Sequence, residues 1–137
     1  MSAGEVFFDT NVLLYLLSGD VAKADRAEAL LQRGGHICVQ VLNEFTAVAT
    51  RKLKLSWAET NEALAIIRAV CQVAPLTIET HERALQLAQR YQIGFYDALI
   101  VAAALLAECG TLYSEDLQSG QRIERTLKIV NPFQRSS

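Results

Sequence analysis

From Phe95 to Ala107 the chain reads Phe-Tyr-Asp-Ala-Leu-Ile-Val-Ala-Ala-Ala-Leu-Leu-Ala, and Asp97 carries the only charge in it. A run this apolar predicts a helix buried on nearly all sides. Carboxylates are rarely buried without a cation or a donor beside them. No Lys, Arg or His follows Asp97 in the run, so its partner must come from elsewhere. Three more acids occupy comparable positions. Asp9 ends the apolar run Val6-Phe7-Phe8, Glu44 follows Ile37-Cys38-Val39-Gln40-Val41-Leu42, and Asp116 closes Thr111-Leu112-Tyr113-Ser114-Glu115. If the four converge, a divalent metal ion is the simplest partner.

The rest of the chain alternates short apolar strands with helices. Glu5 to Phe8 predicts a strand, followed by a helix through Leu13, Leu14, Leu16 and Leu17 that stops at Ser18-Gly19. Asp20 caps a second helix that ends at Gly34-Gly35. Ile37 to Val39 reads as a second strand, and Val41 to Leu53 as a helix. Ser56-Trp57-Ala58-Glu59 is a capping box opening a helix to about Val73, with Leu64, Ile67 and Cys71 on its inner face. Pro75-Leu76-Thr77 reads as a third extended segment, and Ala84, Leu87, Ala88 and Tyr91 then recur at helical spacing. Gly94 precedes the Asp97 helix and Gly110 ends it. Thr111 to Tyr113 is a fourth strand, Ser114 to Gly120 a polar loop, and Leu127 to Val130 a last strand before Asn131-Pro132-Phe133. This alternation predicts a parallel sheet covered on both faces. Ligands bind such sheets beyond the carboxyl ends of the strands. Asp9, Glu44 and Asp116 fall at or just past such ends, and the helix of Asp97 can open on the same edge.

Composition narrows the class. The 137 residues suit one domain with a core at about residues 5–133, and 51% hydrophobic residues exclude disorder. The longest apolar stretch is shorter than the ~20 residues of a membrane span. Met-Ser-Ala-Gly-Glu shows no secretory signal, and Cys38, Cys71 and Cys109 read as reduced core thiols, so a cytoplasmic protein is expected. Zinc spacing is absent: His36 and Cys38 are two apart, but nothing elsewhere completes a four-ligand site. A net charge of -2 argues against electrostatic coating of long nucleic acids. Local clusters remain, at Arg51-Lys52-Leu53-Lys54 and at Arg122, Arg125 and Lys128. Each is either a solvated helix end or a phosphate contact.

Singly, each acid has a structural explanation. Asp9 can cap the helix beginning at Thr10-Asn11, Glu44 and Asp97 lie where a helix dipole favours an anion by ~0.3–1 kcal/mol, and Asp116 suits a loop. Glu115 beside it reads as an ordinary loop acid. Jointly the account changes. Two like charges ~4 Å apart repel by about 4 kcal/mol at an effective dielectric near 20, which dipoles cannot offset for four anions. Clustered acids must be protonated or bind cations, and hard oxygen ligands select Mg²⁺ or Mn²⁺. Two such ions make a phosphodiester-cleaving arrangement. Other small α/β sites fit less well. Asn11 stands where a phosphoaspartate phosphatase has its second Asp, and there is neither a phosphate-binding glycine loop nor a nucleophile elbow.

Four stretches carry a resemblance: Phe8-Asp9-Thr10-Asn11-Val12-Leu13, Gln40-Val41-Leu42-Asn43-Glu44-Phe45, Phe95-Tyr96-Asp97-Ala98-Leu99-Ile100 and Ser114-Glu115-Asp116-Leu117-Gln118. In this order, with the closing Asn131-Pro132-Phe133, the chain resembles a PIN-domain ribonuclease, in particular the VapC-type toxin of VapBC toxin–antitoxin modules. The resemblance implies a single three-layer α/β/α domain over residues 1–137, with a short, mostly parallel central sheet of four to five strands. It also implies a Mg²⁺- or Mn²⁺-dependent endoribonuclease that hydrolyses RNA to a 5′-phosphate and a 3′-hydroxyl. Asp9 and Asp97 would be the principal metal ligands, Glu44 would complete the site, and Asp116 would hold a second ion or its waters. Asn11 and Ser114 would support the pocket, and Arg51, Lys52 and Lys54 are candidate RNA contacts. A homodimer and a VapB-type antitoxin whose tail blocks the acidic pocket are the implied partners. Two alternatives share these residues: a catalytically silent binding module that docks an Arg-bearing partner, and a small phosphohydrolase or DNA-directed nuclease.

Overall fold

Val6-Phe7-Phe8 forms β1 (Val6–Phe8), whose two phenylalanines are fully buried, and this short apolar strand lies inside the sheet. The computed structural model describes residues 5–134; Met1 to Gly4, where the signal-peptide reading rests, lie outside them. The other strands are β2 (Gly35–Cys38), β3 (Cys71–Ala74), β4 (Thr111–Tyr113), β5 (Arg122–Ile123) and β6 (Leu127–Val130). They form one sheet in the order β3-β2-β1-β4-β6-β5, parallel throughout except for the β5–β6 pair. The helices are α1 (Thr10–Leu14), continued by a 3₁₀ turn at Tyr15–Leu17, α2 (Val21–Gln32), α3 (Val39–Arg51), α4 (Trp57–Val70), α5 (Ile78–Tyr91) and α6 (Phe95–Leu106). The chain thus has the expected three-layer α/β/α architecture, with six strands rather than four or five.

Helix α6 is the hydrophobic centre. Every residue from Ala98 to Ala104 is buried, and α5 and α3 pack on it. Burying each of Leu99, Ile100 and Val101 contributes roughly 1.5–3 kcal/mol. Small Ala102, Ala103 and Ala104 let neighbouring backbones approach. No helix among the described residues is long and apolar enough to cross a membrane.

Three boundaries differ from the sequence reading. Val39 begins α3 instead of ending β2, because Cys38 turns extended and caps the helix. Cys71 starts β3 rather than continuing α4: its spacing from Ile67 is helical, but Gly35 to Cys38 offer parallel partners to Cys71 through Ala74. Pro75-Leu76-Thr77 is therefore a connection, and Thr77 caps α5. Strand β5 was hidden in a polar stretch, since only Ile123 of its two residues is buried.

Gly35 shows how tightly β1 and β2 meet. A Cβ there would lie 2.6 Å from Cε2 of Phe8 and 3.1 Å from the Val6 carbonyl oxygen. Phe8 is fully buried and has nowhere to retreat. Gly35→Ala is expected to cost about 1–3 kcal/mol, as overpacking does, read as a lowered melting temperature. An unchanged melt would show that β1 and β2 tolerate separation.

Candidate active site

The sheet order changes direction at β1: β2 and β3 lie to one side of it, β4 and β6 to the other. A crevice opens at such a point beyond the carboxyl ends of the strands. Asp9 follows β1 there, only 3% exposed, and its backbone N–H donates to the Tyr113 carbonyl of β4 at 2.9 Å. Both its carboxylate oxygens are engaged. Oδ1 accepts from the Thr10 N–H at 2.7 Å, so Asp9 does cap α1. Oδ2 accepts from Ser114 Oγ at 2.7 Å and from Asn11 Nδ2 at 3.1 Å. Ser114 is fully buried and its Oγ accepts from the Leu117 N–H, while Asn11 Oδ1 accepts from the Glu115 N–H at 3.0 Å. Asn11 and Ser114 thus tie the end of β1 to the loop that carries Asp116.

Glu44 is half-buried on α3. Its Oε1 accepts from Thr10 Oγ1 at 2.6 Å and its Oε2 from Gln40 Nε2 at 3.1 Å. Asp97 is half-buried in the first turn of α6, and Asp116 is exposed after β4. Burial pushes the Asp9 carboxyl up to about 6 despite its donors, and the charges of Asp97 and Glu44 add to the rise. Asp97 is also raised, first by desolvation and then by Glu44 and Asp116. Each of the four acids therefore lies in the field of at least one other.

None of the described ion pairs, which join Lys23 to Glu115, His36 to Glu5 and Arg90 to Glu124, reaches these acids. The carboxylates also stand apart. Among the described residues, no three of them bring oxygens all within 4.8 Å of one another. A set of hard oxygen donors with unbalanced charge, spaced too widely for all to touch one ion, suits a divalent cation held partly through water. Cys38 is fully buried, and desolvation first, with Glu44 and Asp9 adding, pushes its thiol up to about 11.

Glu115 is no ordinary loop acid. It bonds Tyr15 Oη at 2.5 Å and Lys23 Nζ at 2.9 Å, and Lys23 sits 4.7 Å from the centre of the Tyr15 ring. This network anchors the Asp116 loop to the 3₁₀ turn at Tyr15–Leu17 and to α2. Sequence reasoning also passed over Thr10 and Gln40, the two donors to Glu44. Gln40 had a legible signal, four residues before Glu44 on one helix face. Thr10 had none, being 34 residues away. Arg51, Lys52 and Lys54 are exposed at the end of α3 and in the turn after it, outside the acid cluster. A cleft of about 420 Å³, lined in part by Asn11, Tyr15, Val48, Leu53 and Glu115, reaches that turn at Leu53, and none of the four acids lines it.

The sequence pattern of the PIN domain matches residues 6–122. The chain belongs to the PIN-domain family. The same fold is shared with a toxin–antitoxin complex from Klebsiella pneumoniae, at 22% identity over 96% of this chain and 100% of that one, with a TM-score of 0.71. VapC20 of Mycobacterium tuberculosis, described as a sarcin–ricin loop cleaving toxin, is 22% identical over 82% of this chain and 90% of its own, with a TM-score of 0.68. FitAcB from Neisseria gonorrhoeae is 17% identical over 93% of this chain and 97% of its own, with a TM-score of 0.66. No curated protein matches by sequence.

Proposed function

We propose that this PIN domain is a Mg²⁺- or Mn²⁺-dependent endoribonuclease, the VapC-type toxin of a toxin–antitoxin pair. The observation that carries the reading is geometric: Asp9, Glu44, Asp97 and Asp116 stand at the carboxyl edge of the sheet with no described basic side chain paired to any of them, and burial first, then the charges of Asp97 and Glu44, raises Asp9 to about 6. Asp9 and Asp97 are the principal ligands, Glu44 completes the set, and Asp116 serves a second ion or its waters. Bound there, the metal would supply an activated water and neutralise charge at the phosphorus in an in-line displacement. The chain's own groups keep the acids aimed. Thr10 and Gln40 fix both oxygens of Glu44, and Asn11 and Ser114 hold Asp9. Arg51, Lys52 and Lys54 would meet the phosphates of RNA lying along the cleft that reaches Leu53. The similarity in fold to a sarcin–ricin loop cleaving toxin supports RNA as the substrate.

An antitoxin has a surface to use. An apolar groove of about 380 Å³, lined in part by Leu16, Leu17, Phe45, Ala63, Ile66 and Val70, runs between α2 and α4, and Ile66 is 57% exposed. A homodimer is the expected assembly. The separation of the carboxylates also suits a second reading, a silent module in which a partner's guanidinium takes the place of a metal. Turnover separates the two. Purified protein with Mn²⁺ or Mg²⁺ should cut structured or single-stranded RNA and stop when EDTA is added; folded protein that cuts no RNA with either metal would favour the silent module.

Ser114→Ala is expected to weaken Mn²⁺ binding about 10–100-fold, the usual effect of removing a hydrogen bond behind a metal ligand. Calorimetric titration measures this. An unchanged affinity would show that Ser114 serves the loop alone.

A further inference from the structure

Glu5, His36 and Cys109 meet at the amino edge of the sheet, away from the acids. Each lies in, or just before, a different one of three adjacent strands. Glu5 precedes β1, His36 lies in β2 in register with Phe7, and Cys109 comes two residues before β4. The backbone fixes them there: the Gly110 N–H donates to the Glu5 carbonyl at 3.1 Å, and the Gly110 carbonyl accepts from the Lys128 N–H at 2.9 Å. His36 Nε2 lies 2.6 Å from Glu5 Oε2, and one ligating atom from each of the three side chains lies within 4.8 Å of the other two. Cys109 is 3% exposed and the His36 side chain 14%, whereas Glu5, at 46%, fronts a cleft of about 590 Å³ with Arg33 and Gln72.

We propose that Glu5, His36 and Cys109 form a second metal site, built for Zn²⁺ and separate from the carboxylate cluster. One sulfur, one imidazole nitrogen and one carboxylate oxygen are the donors that Zn²⁺ accepts and that a hard ion such as Mg²⁺ does not select. Three protein ligands leave a fourth position facing the cleft, for water. Zinc–sulfur and zinc–nitrogen bonds of about 2.3 and 2.0–2.1 Å set tetrahedral neighbours roughly 3.5 Å apart. Seating the ion therefore needs Glu5 Oε2, 2.6 Å from His36 Nε2, to draw back by on the order of 1 Å, which its exposed position allows. Local sequence spacing could not reveal the site, because its ligands come from three strands. With four residues from Glu5 to Asp9 at ~3.3 Å each, the ion would sit roughly 13 Å from the acid edge. There it would staple the amino ends of β2, β1 and β4 without touching the reaction.

Co²⁺, a spectroscopic stand-in for Zn²⁺, tests this on reduced, chelator-treated protein. The expected result is a near-ultraviolet thiolate-to-cobalt charge-transfer band that saturates at one equivalent and disappears on adding Zn²⁺ but not Mg²⁺. His36→Gln and Cys109→Ser should each weaken Zn²⁺ binding at least tenfold, while Asp97→Asn leaves the band intact. Should Cys109→Ser fail to fold, His36→Gln, at a partly open position, carries the comparison. Folded wild-type protein that shows no such band, or a His36→Gln protein that binds Zn²⁺ within twofold of wild type, would overturn the proposal.

Discussion

Asp97→Asn is expected to abolish metal-dependent RNA cleavage while leaving the fold intact. The amide has the size and shape of the carboxylate, so the half-buried position at the start of α6 is refilled without a cavity. What disappears is a negative charge that burial, and then Glu44 and Asp116, already disfavour. Losing it should relax the metal-free protein rather than strain it. The proposed reaction, however, loses one of its two principal cation ligands. If that ligand accounts for about 4 kcal/mol of the charge stabilisation that metals supply, the rate falls on the order of a thousand-fold. Circular dichroism should superimpose on wild type while cleavage with Mn²⁺ drops to background. Undiminished cleavage would place the activity in another site or another protein.

Asp9→Asn is expected to stabilise the protein in EDTA at neutral pH, although it removes the proposed site's most buried ligand. An Asp has an ordinary pKa of 3.8, and folding raises that of Asp9 to about 6. Between these values the native state holds a proton that the unfolded chain has released, so this residue's effect on stability worsens as pH rises. Below about pH 4 both states are protonated and the penalty vanishes. Above about pH 6 it is complete, about 3 kcal/mol at 1.36 kcal/mol for each pH unit. Asparagine keeps one oxygen for the Thr10 N–H and can turn its amide towards Ser114 Oγ. Melting curves of the two proteins should therefore converge near pH 4 and separate by several degrees near pH 7, the variant higher. Millimolar Mn²⁺ should narrow or invert the gap, since a ligand that binds only the folded state stabilises it. A difference that does not vary with pH, or a less stable variant in EDTA at pH 7, would contradict a buried, uncompensated carboxylate.

The carboxylates stood out in the sequence because each follows or interrupts an apolar pattern. Asp9 ends Val6-Phe7-Phe8, and Asp97 interrupts a run that every later residue marks as core. The parallel sheet followed from strands too apolar to have a wet face. Contacts between distant stretches were beyond reading, because nothing local encodes them. Thr10 reaches Glu44, Lys23 reaches Glu115, and Cys109 lies beside His36 only once β1 stands between β2 and β4. The α4–β3 junction failed for a related reason. Cys71 satisfies both a helical period and a strand pairing, and the edge of β2 decides between them.

Anomalous diffraction from crystals grown with Mn²⁺ would test the central claim most directly. The account predicts a manganese peak in the β1–β4 crevice, bounded by Asp9 and Asp97 with Glu44 alongside, and no such peak in the Asp9→Asn protein. A well-ordered map without manganese there, or with manganese only beside Glu5, His36 and Cys109, would contradict it.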